Sequence, residues 1–454
     1  MARLENVGRC VIKPGRTDAV PSVAILGAGY AGVAAAVRLC EANIRVSVFE
    51  SARTPGGRAR GIHYRGYALD NGQHMLIGAY QRLLGMMKTV GLDESGLVRL
   101  PMQMRMHPDI RLTTPKWPAP LHLAWGLATA GGLTWRDKLA AARMSDMVRR
   151  PALPMQLRDA TVEQLLAASR QTDTMVRAIW LPLCIAALNT PIQSASAGVF
   201  ANVLRDSLFK SRADSDFLLP RIDLTAMFPG PALEWVEARG GIVRLGTRVR
   251  ELAGQRGAFR ITAGAANESA PDGAGTFDAV ICAVGPHQLD DLAGDAAAYL
   301  PSRRPRHFEP ICTIYLAYPV PVPLPAYMVG RQAGMTQWFF DRSRLGGPSG
   351  LISAVISASG PHDQLSHDEI ATRAHGELQE IVGTLPTPDW SKVIAERFAT
   401  FACTTDVPRP TIRTTLPGLY LAGDYTDGPY PATLEGAVRS GEAAAASLLA
   451  DFKN

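Results

Sequence analysis

The clearest periodic pattern in the chain is an apolar strand, a glycine turn, an alanine-rich helix and a second strand. Residues 23–26 are apolar and partly β-branched, residues 31–42 form the alanine-rich segment, and residues 44–49 repeat the strand character. The change from a strand pattern to a helical one and back predicts a βαβ unit with parallel strands. The turn between the first strand and the helix reads G-x-G-x-x-G.

The glycines of this turn have separate predicted roles. Gly27 allows the tight turn, Gly29 lets a phosphate approach the backbone, and Gly32 lets the helix lie close to the strands. The helix N-terminus, around Ala31, offers free N–H groups and the positive end of the helix dipole to phosphates. Glu50 ends the second strand, where its carboxylate can accept hydrogen bonds from an adenosine ribose. The unit therefore predicts a bound dinucleotide, with NAD and FAD both open at this point.

Beyond this unit the pattern is helical to about residue 225 and rich in strands afterwards. A T-x-x-Q sequence at Thr161 predicts a capped helix, and Ser366 with Glu369 predicts another. Residues 263–275, which are mostly Ala, Gly, Asn and Ser, predict a surface hairpin loop. The chain ends in a short buried strand, GLYLAGD, followed by a helix predicted over residues 433–449.

Composition places the chain among ordinary globular proteins. Its 454 residues are 47% hydrophobic and 19% charged, which suits two or three cores. The net charge is +6, yet no basic stripe with interleaved aromatic residues is visible, so nucleic acid is not expected as a partner. The cysteines are scattered without a CxxC pair, which predicts no disulfide framework and no metal site and fits a cytoplasmic protein. Residues 1–21 lack the apolar segment of a secretory signal and are expected to be a loose extension.

Residues 117–135 contain no Asp, Glu, Lys or Arg, and a basic segment, residues 136–150, follows them. Proline and glycine interrupt the uncharged stretch, so a membrane-spanning helix is not expected. Two predictions stay open for this region. It lies in a membrane interface without crossing it, or it forms a helical wall that lines a pocket.

Three further segments favour FAD over NAD. Gly57 and Arg58 follow the ribose carboxylate, where the glycine permits close backbone approach and the guanidinium can neutralise a pyrophosphate. Val249 lies in a predicted strand that can present backbone groups to an adenine edge. Gly423 and Asp424 follow the last strand, where the carboxylate is well placed for a ribityl hydroxyl. The helix after residue 431 then points its N-terminus at the pyrimidine end of a flavin, where it stabilises negative charge.

Together with DNGQH at residues 70–74 and PATLEGAV after residue 430, these motifs resemble the amine oxidase and phytoene desaturase superfamily of flavoproteins. The resemblance covers residues 22–454 in order. It implies an α/β fold in which a Rossmann-type FAD-binding domain is interleaved with an α+β substrate domain of mixed sheet and helices. The expected FAD segments are 22–105, 226–300 and 396–454, and the expected substrate and membrane-facing segments are 106–225 and 301–395.

The cofactor-binding residues that the motifs and the resemblance imply for FAD are Gly27, Gly29, Ala31, Gly32, Glu50, Gly57, Arg58, Gly72, Val249, Gly423, Asp424, Thr433 and Leu434.

Two departures disfavour amine oxidation by the usual arrangement. Amine oxidases carry a lysine near the start of the strand that here reads EPICTIYLAY, whereas this chain has no lysine between Lys210 and Lys392. They also place an aromatic residue where Thr433 stands. The segments LPLCIAALNTPIQSASAGVF and DFLLPRIDLTAMFP resemble the squalene-associated FAD-dependent desaturase group more closely, although Tyr425 stands where that group is associated with tryptophan.

Bacterial members of that group are hydroxysqualene dehydroxylases of squalene and hopanoid biosynthesis. The resemblance therefore implies that FADH2 supplies a hydride to hydroxysqualene, which loses water to give squalene. It also implies a long apolar isoprenoid substrate. A basic surface and the uncharged segment predict a peripheral position on the inner face of a bacterial membrane. The insolubility of the intermediates predicts contact with a squalene synthase-like enzyme. Two alternatives stay open: a phytoene-type desaturase that runs the flavin oxidatively, and a flavin-free prenyl-lipid carrier, against which Gly29, Arg58 and Asp424 argue.

The predicted reaction needs a proton donor. His74 is the first candidate, because an imidazole titrates near neutral pH and DNGQH is expected to pass the flavin ring. Asp70 is the second catalytic candidate and can equally anchor the same loop. Asp206 and Asp223 are further acids, for which salt bridges with Arg205 and Arg221 are expected.

Overall fold

The computed structural model describes residues 20–265 and 272–453. Its strands are β1 (Ser22–Leu26), β2 (Arg45–Phe49), β3 (Gly61–Tyr64), β4 (Tyr67–Asp70), β5 (Leu76–Ile77), β6 (Leu97–Leu100), β7 (Gln103–His107), β8 (Ile110–Thr113), β9 (Phe217–Pro220), β10 (Ile242–Arg244), β11 (Thr247–Ala253), β12 (Phe259–Ala265), β13 (Asp272–Phe277), β14 (Ala279–Cys282), β15 (Phe308–Ala317), β16 (Met328–Arg331), β17 (Trp338–Asp341), β18 (Leu351–Ser357), β19 (Trp390–Phe401) and β20 (Leu419–Leu421). Its helices are α1 (Tyr30–Glu41), α2 (Gln81–Thr89), α3 (Leu121–Thr129), α4 (Trp135–Arg149), α5 (Val162–Ala168), α6 (Asp173–Met175), α7 (Leu181–Leu188), α8 (Ala197–Leu208), α9 (Leu224–Met227), α10 (Pro229–Glu237), α11 (His367–Val382) and α12 (Leu434–Lys453).

The predicted βαβ unit forms the centre of a five-stranded parallel sheet with the order β10-β2-β1-β14-β20. Such a sheet is buried on both faces, which explains the continuous apolar runs of its central strands. Helices α1, α10 and α12 form a layer with a shared apolar core on one face. The strands come from three separated parts of the chain, although the exact domain boundaries stay a prediction.

Close helix contact in this layer depends on a small residue. A Cβ on Gly441 of α12 would overlap the carbonyl oxygen of Ala31 in α1. The alanine-rich composition of α1 has the same cause, because small side chains let the helix axes approach. The first and last helices of the described chain therefore lie side by side.

The antiparallel strands β11, β12 and β13 cover the other face of this sheet. The loop predicted over residues 263–275 is wrong in its extent, since β12 continues to Ala265 and β13 begins at Asp272. Ala263 pairs with Val249 on one side and with Asp272 on the other. Backbone pairing on both edges overrides the weak strand preference of Ala and Gly. Residues 266–271 of the predicted loop lie outside the described residues.

A seven-stranded mixed sheet has the order β19-β15-β18-β17-β16-β7-β8. Alternate side chains of its strands enter two different cores. Phe339 of β17 packs towards α11, whereas Trp338 and Phe340 point to the opposite face, towards the first sheet. The sheet therefore presents an aromatic wall to the interior of the molecule.

Helices α3 to α8 follow β8 and precede β9 in the chain, and they form a third layer. Both predicted capping boxes are confirmed, at Thr161 with Gln164 before α5 and at Ser366 with Glu369 before α11. Across residues 20–265 and 272–453, no helix combines the length and apolar character needed to cross a bilayer. The N-terminal extension predicted for residues 1–21 lies, except for its last two residues, outside the described residues.

Candidate active site

A cavity of about 530 Å³ lies between the parallel sheet, the seven-stranded sheet and α7. Most residues predicted to bind the cofactor line it, although they come from distant parts of the chain. They are Gly27, Gly29, Ala31, Glu50, Gly57, Arg58, Gly72, Val249, Gly423, Asp424, Thr433 and Leu434, and His74 joins them. Gly32 and Asp70 are not among the lining residues.

The glycine turn leaves space on the cavity side and none behind it. Gly27 has a φ of +105°, which favours glycine, and a Cβ on Gly32 would overlap the carbonyl oxygen of Gly27. In contrast, a Cβ on Gly29 would come no closer than 4.0 Å to another residue, the Cα of Gly57. Gly29 also precedes α1 as its N-cap, so free backbone N–H groups lie beside this open space.

Glu50 is held rigidly at the end of β2. Its carboxylate accepts hydrogen bonds from the backbone N–H groups of Ala28 and Ala52, both at 2.8 Å. The carbonyl oxygen of Glu50 accepts a hydrogen bond from Thr247 N at 2.8 Å, which brings the start of β11 and Val249 to the same end of the cavity. The carboxylate oxygens have lone pairs left for further donors.

Arg58 and Asp424 were expected to contact different parts of the cofactor, and the structure pairs them directly. Nη2 of Arg58 donates to Oδ1 of Asp424 at 2.6 Å, and Nη1 donates to the carbonyl oxygen of Ala399 at 2.8 Å. These two contacts place the guanidinium of Arg58 between the end of β20 and β19 at the cavity wall. Next to Asp424, a Cβ on Gly423 would overlap the ring of Tyr425.

The N-terminus of α12 also reaches the cavity. Thr433 lies before the helix, its Oγ1 accepts a hydrogen bond from Gly436 N at 3.0 Å, and Leu434 is the first helical residue. Glu435 anchors the start of α12 to α2, because its carboxylate accepts hydrogen bonds from the N–H groups of Arg82 and Leu83. The positive end of a 20-residue helix is thus directed at the cavity.

His74 lines the cavity with one ring nitrogen already engaged. Its Nδ1 lies 2.7 Å from the carbonyl oxygen of Gly72, a geometry in which Nδ1 donates and Nε2 is left as an acceptor in the neutral ring. Burial lowers the pKa of His74, and the hydrogen bond to Gly72 only partly opposes this effect. The neutral imidazole is therefore favoured near pH 7.

Asp70 performs a structural task instead of facing the cavity. Its carboxylate accepts a hydrogen bond from Leu224 N at 2.8 Å, at the start of α9, and its backbone N–H and carbonyl both bond to the hydroxyl of Tyr315. Burial raises the pKa of Asp70 to about 7, against the opposing effects of the Leu224 hydrogen bond and of Arg342. The contacts agree with the anchoring role considered above.

The two other candidate acids are also engaged away from the cavity. The salt bridge expected between Asp206 and Arg205 is wrong, because Asp206 pairs with Lys210 at 2.8 Å and accepts a hydrogen bond from the hydroxyl of Tyr430. Arg205 instead donates to the carbonyl oxygen of Val148. Asp223 is the N-cap of α9, and its carboxylate accepts from two backbone N–H groups instead of pairing with Arg221.

The opposite wall of the cavity is mainly apolar, and sequence analysis did not assign it. It comes from alternate positions of the seven-stranded sheet and from α7, and its main side chains are Ile185, Ile311, Met328, Trp338, Phe340 and Val355. None of the described residues that line the cavity is a lysine. Lys392 lies outside it, with its ammonium 5.1 Å from the ring centre of Tyr64.

His287 is a further cavity residue that sequence analysis missed. Its ring stacks on Phe398 with the ring centres 4.4 Å apart, and its buried Nδ1 has no hydrogen-bond partner among the described residues. Burial and the nearby Arg58 lower its pKa. Its position after the carboxyl end of β14 was the available signal, because ligands of parallel sheets bind at that edge.

Comparison with known proteins identifies this arrangement. The family described as flavin containing amine oxidoreductase matches residues 30–449. The chain belongs to this family. The predicted superfamily resemblance is therefore confirmed. This protein is an FAD-dependent oxidoreductase.

Two curated relatives are similar to this flavoprotein over nearly their whole lengths. The hydroxysqualene dehydroxylase of Rhodopseudomonas palustris is 32% identical to this chain, and the matched region covers 94% of this chain and 98% of the relative. That of Sinorhizobium fredii is 28% identical over 95% of this chain and 99% of its own. Among solved structures, putrescine oxidase has a TM-score of 0.66 at 18% identity, covering 95% of this chain and 99% of its own, which establishes the fold.

The described residues fit FAD. The space beside Gly29 is open and bordered by N–H groups, as a pyrophosphate requires. The Glu50 carboxylate, which has lone pairs left for a donor such as a ribose hydroxyl, and the N-terminus of α12 border the same cavity. The unpartnered Nδ1 of His287 is a buried polar atom that a ligand in the cavity can satisfy.

Proposed function

We propose that this flavoprotein reduces hydroxysqualene to squalene in squalene and hopanoid biosynthesis. The observation that carries the proposal is the full-length similarity to proteins named hydroxysqualene dehydroxylase, over 94% of this chain and 98% of the relative in the first comparison. The apolar cavity wall supports it, because a long isoprenoid needs such a surface. The lack of lysine in the described lining supports a reaction other than amine oxidation.

In the proposed reaction the allylic C–O bond of the alcohol breaks, a proton leaves with the oxygen as water, and a hydride forms the new C–H bond. Reduced FAD supplies that hydride when it is bound. Trp338, Phe340 and Met328 hold the isoprenoid chain and exclude water from the reacting carbon. The N-terminus of α12 at Thr433 favours negative charge at its end of the cavity.

We further propose that the residues named above hold the cofactor in this order. Gly27, Gly29 and Ala31 bind the pyrophosphate, with Gly32 shaping the turn behind them. Glu50 and Val249 bind the adenosine end, and Gly72, Thr433 and Leu434 lie along the flavin. The part of the cofactor between the adenosine and the flavin is contacted by Gly57, Arg58, Gly423 and Asp424. The support for this order is that all of them except Gly32 line a single cavity.

His74 is our candidate for the group that protonates the departing hydroxyl. Only the protonated ring can donate from Nε2, and burial lowers the pKa of His74, so turnover should fall as pH rises towards neutrality. We expect His74→Ala to lose about 10²- to 10⁴-fold in kcat and to flatten this pH profile. Steady-state kinetics from pH 5 to 8 measure both effects, with the exposed His63→Ala as the matched control. Full turnover by His74→Ala would remove His74 from the mechanism.

The function itself is tested by product analysis. Photoreduced protein incubated anaerobically with hydroxysqualene should yield squalene in a single turnover, in an amount equal to the bound reduced flavin. Oxidised protein is the control and should leave the alcohol unchanged. Unchanged hydroxysqualene in the presence of reduced flavin would contradict the proposal. A phytoene-type desaturase would instead use oxidised flavin to introduce further double bonds into an isoprenoid polyene.

We also propose that the protein works on the cytoplasmic face of a bacterial membrane and receives its substrate from a squalene synthase-like enzyme. The proposed substrate and product are both insoluble, so their transfer through water is unfavourable. The described cysteines, Cys40, Cys184, Cys282, Cys312 and Cys403, are free and buried, which agrees with a reducing compartment.

A further inference from the structure

Large exposed apolar side chains are concentrated on α3, α4 and the segments beside them. Trp117, Leu121, Trp125, Trp135, Leu139 and Met155 are all more than 40% exposed, with Trp135 at 69% and Met155 at 81%. They make up nearly half of the large apolar residues that are exposed among the described residues. Soluble proteins rarely expose such a cluster unless another surface covers it. We call these six residues the apolar face.

The two helices of the apolar face form one unit. The ammonium of Lys138 in α4 donates to the carbonyl oxygen of Ala128 at the end of α3, at 2.6 Å. The rings of Trp117 and Trp125 lie 5.0 Å apart between centres, and Leu121 lies one helical turn from Trp125. The inner side of α3 is fixed, because the buried His122 bonds to Ser215 Oγ through Nε2 at 3.1 Å. The exposed indoles are therefore held on a rigid support.

Exposed basic residues lie on the same part of the chain as the apolar face. Lys116, Arg136, Arg143, Arg149 and Arg150 are exposed on the same segment, and Arg136 lies 5.6 Å from the ring centre of Trp135. Of the two acidic residues in the segment, Asp137 is buried in a capping box, and Asp146 pairs with Arg150 at 3.0 Å. The segment therefore combines exposed apolar side chains with an excess of exposed positive charge.

We infer that this surface binds the interface of an anionic phospholipid bilayer. Tryptophan favours the headgroup level, where its ring is buried and its N–H stays hydrated. Lysine and arginine near the surface are attracted by anionic headgroups. A second copy of the chain fits less well, since a two-fold contact would place the same positive surface against itself. The protein would thus work at a membrane, as proposed above, through the apolar face and the basic residues beside it. The support for this surface comes from these residues alone.

The binding surface belongs to the layer that also provides one wall of the cavity. Helix α4 packs against α6, and α6 continues through residues 176–180 into α7, which carries Ile185 of the cavity wall. Binding by α3 and α4 thus places the membrane contact in the same helical layer that provides Ile185 of the cavity wall. This arrangement suits a substrate that dissolves in lipid.

Vesicle co-sedimentation of the flavin-loaded protein tests the inference. The vesicles contain phosphatidylcholine with or without about one-third phosphatidylglycerol. We expect W125S/W135S to weaken binding at least tenfold, because on the order of 200 Å² of aromatic surface is lost. We expect R136Q/R143Q/R149Q to weaken binding to the anionic vesicles roughly 100-fold at low salt, about fivefold for each charge. High salt should have the same effect on the unmodified protein.

The matched control is Y299S/V320S, which removes two exposed apolar side chains far along the sequence from the apolar face and should leave vesicle binding unchanged. Turnover of detergent-dispersed hydroxysqualene is measured in parallel and should be equal in all variants, so that a failed reaction is distinguished from failed binding. Equal sedimentation of the unmodified protein and both surface variants would overturn the inference. A change of molecular mass in W125S/W135S with unchanged vesicle binding would also overturn it, in favour of a protein contact.

Discussion

Replacing Gly29 with valine should give a folded protein that holds no flavin. Apart from its chain neighbours, the Cβ of the new side chain meets no described residue closer than 4.0 Å, so the fold has no reason to fail. Its methyl groups instead enter the part of the cavity beside the free N–H groups of α1, where the pyrophosphate must approach the backbone. We expect the affinity for FAD to fall by at least 100-fold, about 2.7 kcal/mol. Flavin absorbance of the purified protein and titration of the apoprotein measure this effect.

Two other glycines provide controls for this experiment. Gly85→Val changes a position in α2 where the added Cβ meets no described heavy atom within 4 Å apart from its chain neighbours and the nearby helix backbone, so flavin content should stay normal. Gly32→Ala forces a Cβ into the carbonyl oxygen of Gly27, so it should lose stability as well as flavin. The three variants separate a blocked cofactor site from a damaged turn. Normal flavin content in Gly29→Val would contradict the assignment of the phosphate site.

Sequence predicted those parts of the site whose conformation is explained by residues within a single short motif. Gly27 adopts a positive φ, Gly29 borders open space, and Glu50 directly follows β2. All three lie within one βαβ unit. The capping box at Ser366 is similarly local. Such motifs can be recognised without knowing what lies opposite them in the fold.

The remaining parts depend on residues that are distant in sequence. Asn189 has a left-handed backbone with φ of +47°, and its side chain joins Thr400 and Ala358, on β19 and after β18, to the end of α7. Trp338 appears in sequence as an ordinary strand residue, and only the order of the seven-stranded sheet turns it towards the cavity. The pairing of Arg58 with Asp424 links residues that are 366 positions apart. A single sequence contains no signal for these contacts.

Asp70 illustrates the same limit within a recognised motif. DNGQH indicated a loop beside the flavin, and His74 and Gly72 do line the cavity. The carboxylate of Asp70, however, points to the start of α9, 154 residues along the chain. Its burial without a directly paired cation explains the raised pKa, since burial disfavours the charged form. A motif therefore predicts the path of the backbone better than the task of each side chain.

The raised pKa of Asp70 should make Asp70→Asn more stable than the unmodified protein at high pH. Burial raises the pKa from 3.8 to about 7, so the native state retains a proton that the unfolded state has released. The free energy of unfolding should therefore fall as pH rises from about 4 to 7, by up to about 4 kcal/mol. Asparagine does not titrate, and its Oδ1 still accepts the hydrogen bond from Leu224 N. The advantage of Asp70→Asn should grow across this window and level off near pH 8.

Denaturant unfolding of both proteins at fixed flavin concentration, from pH 4 to 8, measures this difference. Asp93→Asn is the matched control, because Asp93 is exposed and its pKa is lowered by hydrogen bonds from Ser95. Above pH 5 that carboxylate is charged in both states, so the effect of Asp93→Asn should not vary with pH. Parallel curves for Asp70→Asn and the unmodified protein would mean that the Asp70 carboxylate has its ordinary pKa. In that case the structural anchor at α9 would be a charged group at neutral pH, with Arg342 and Leu224 stabilising the charge as much as burial disfavours it.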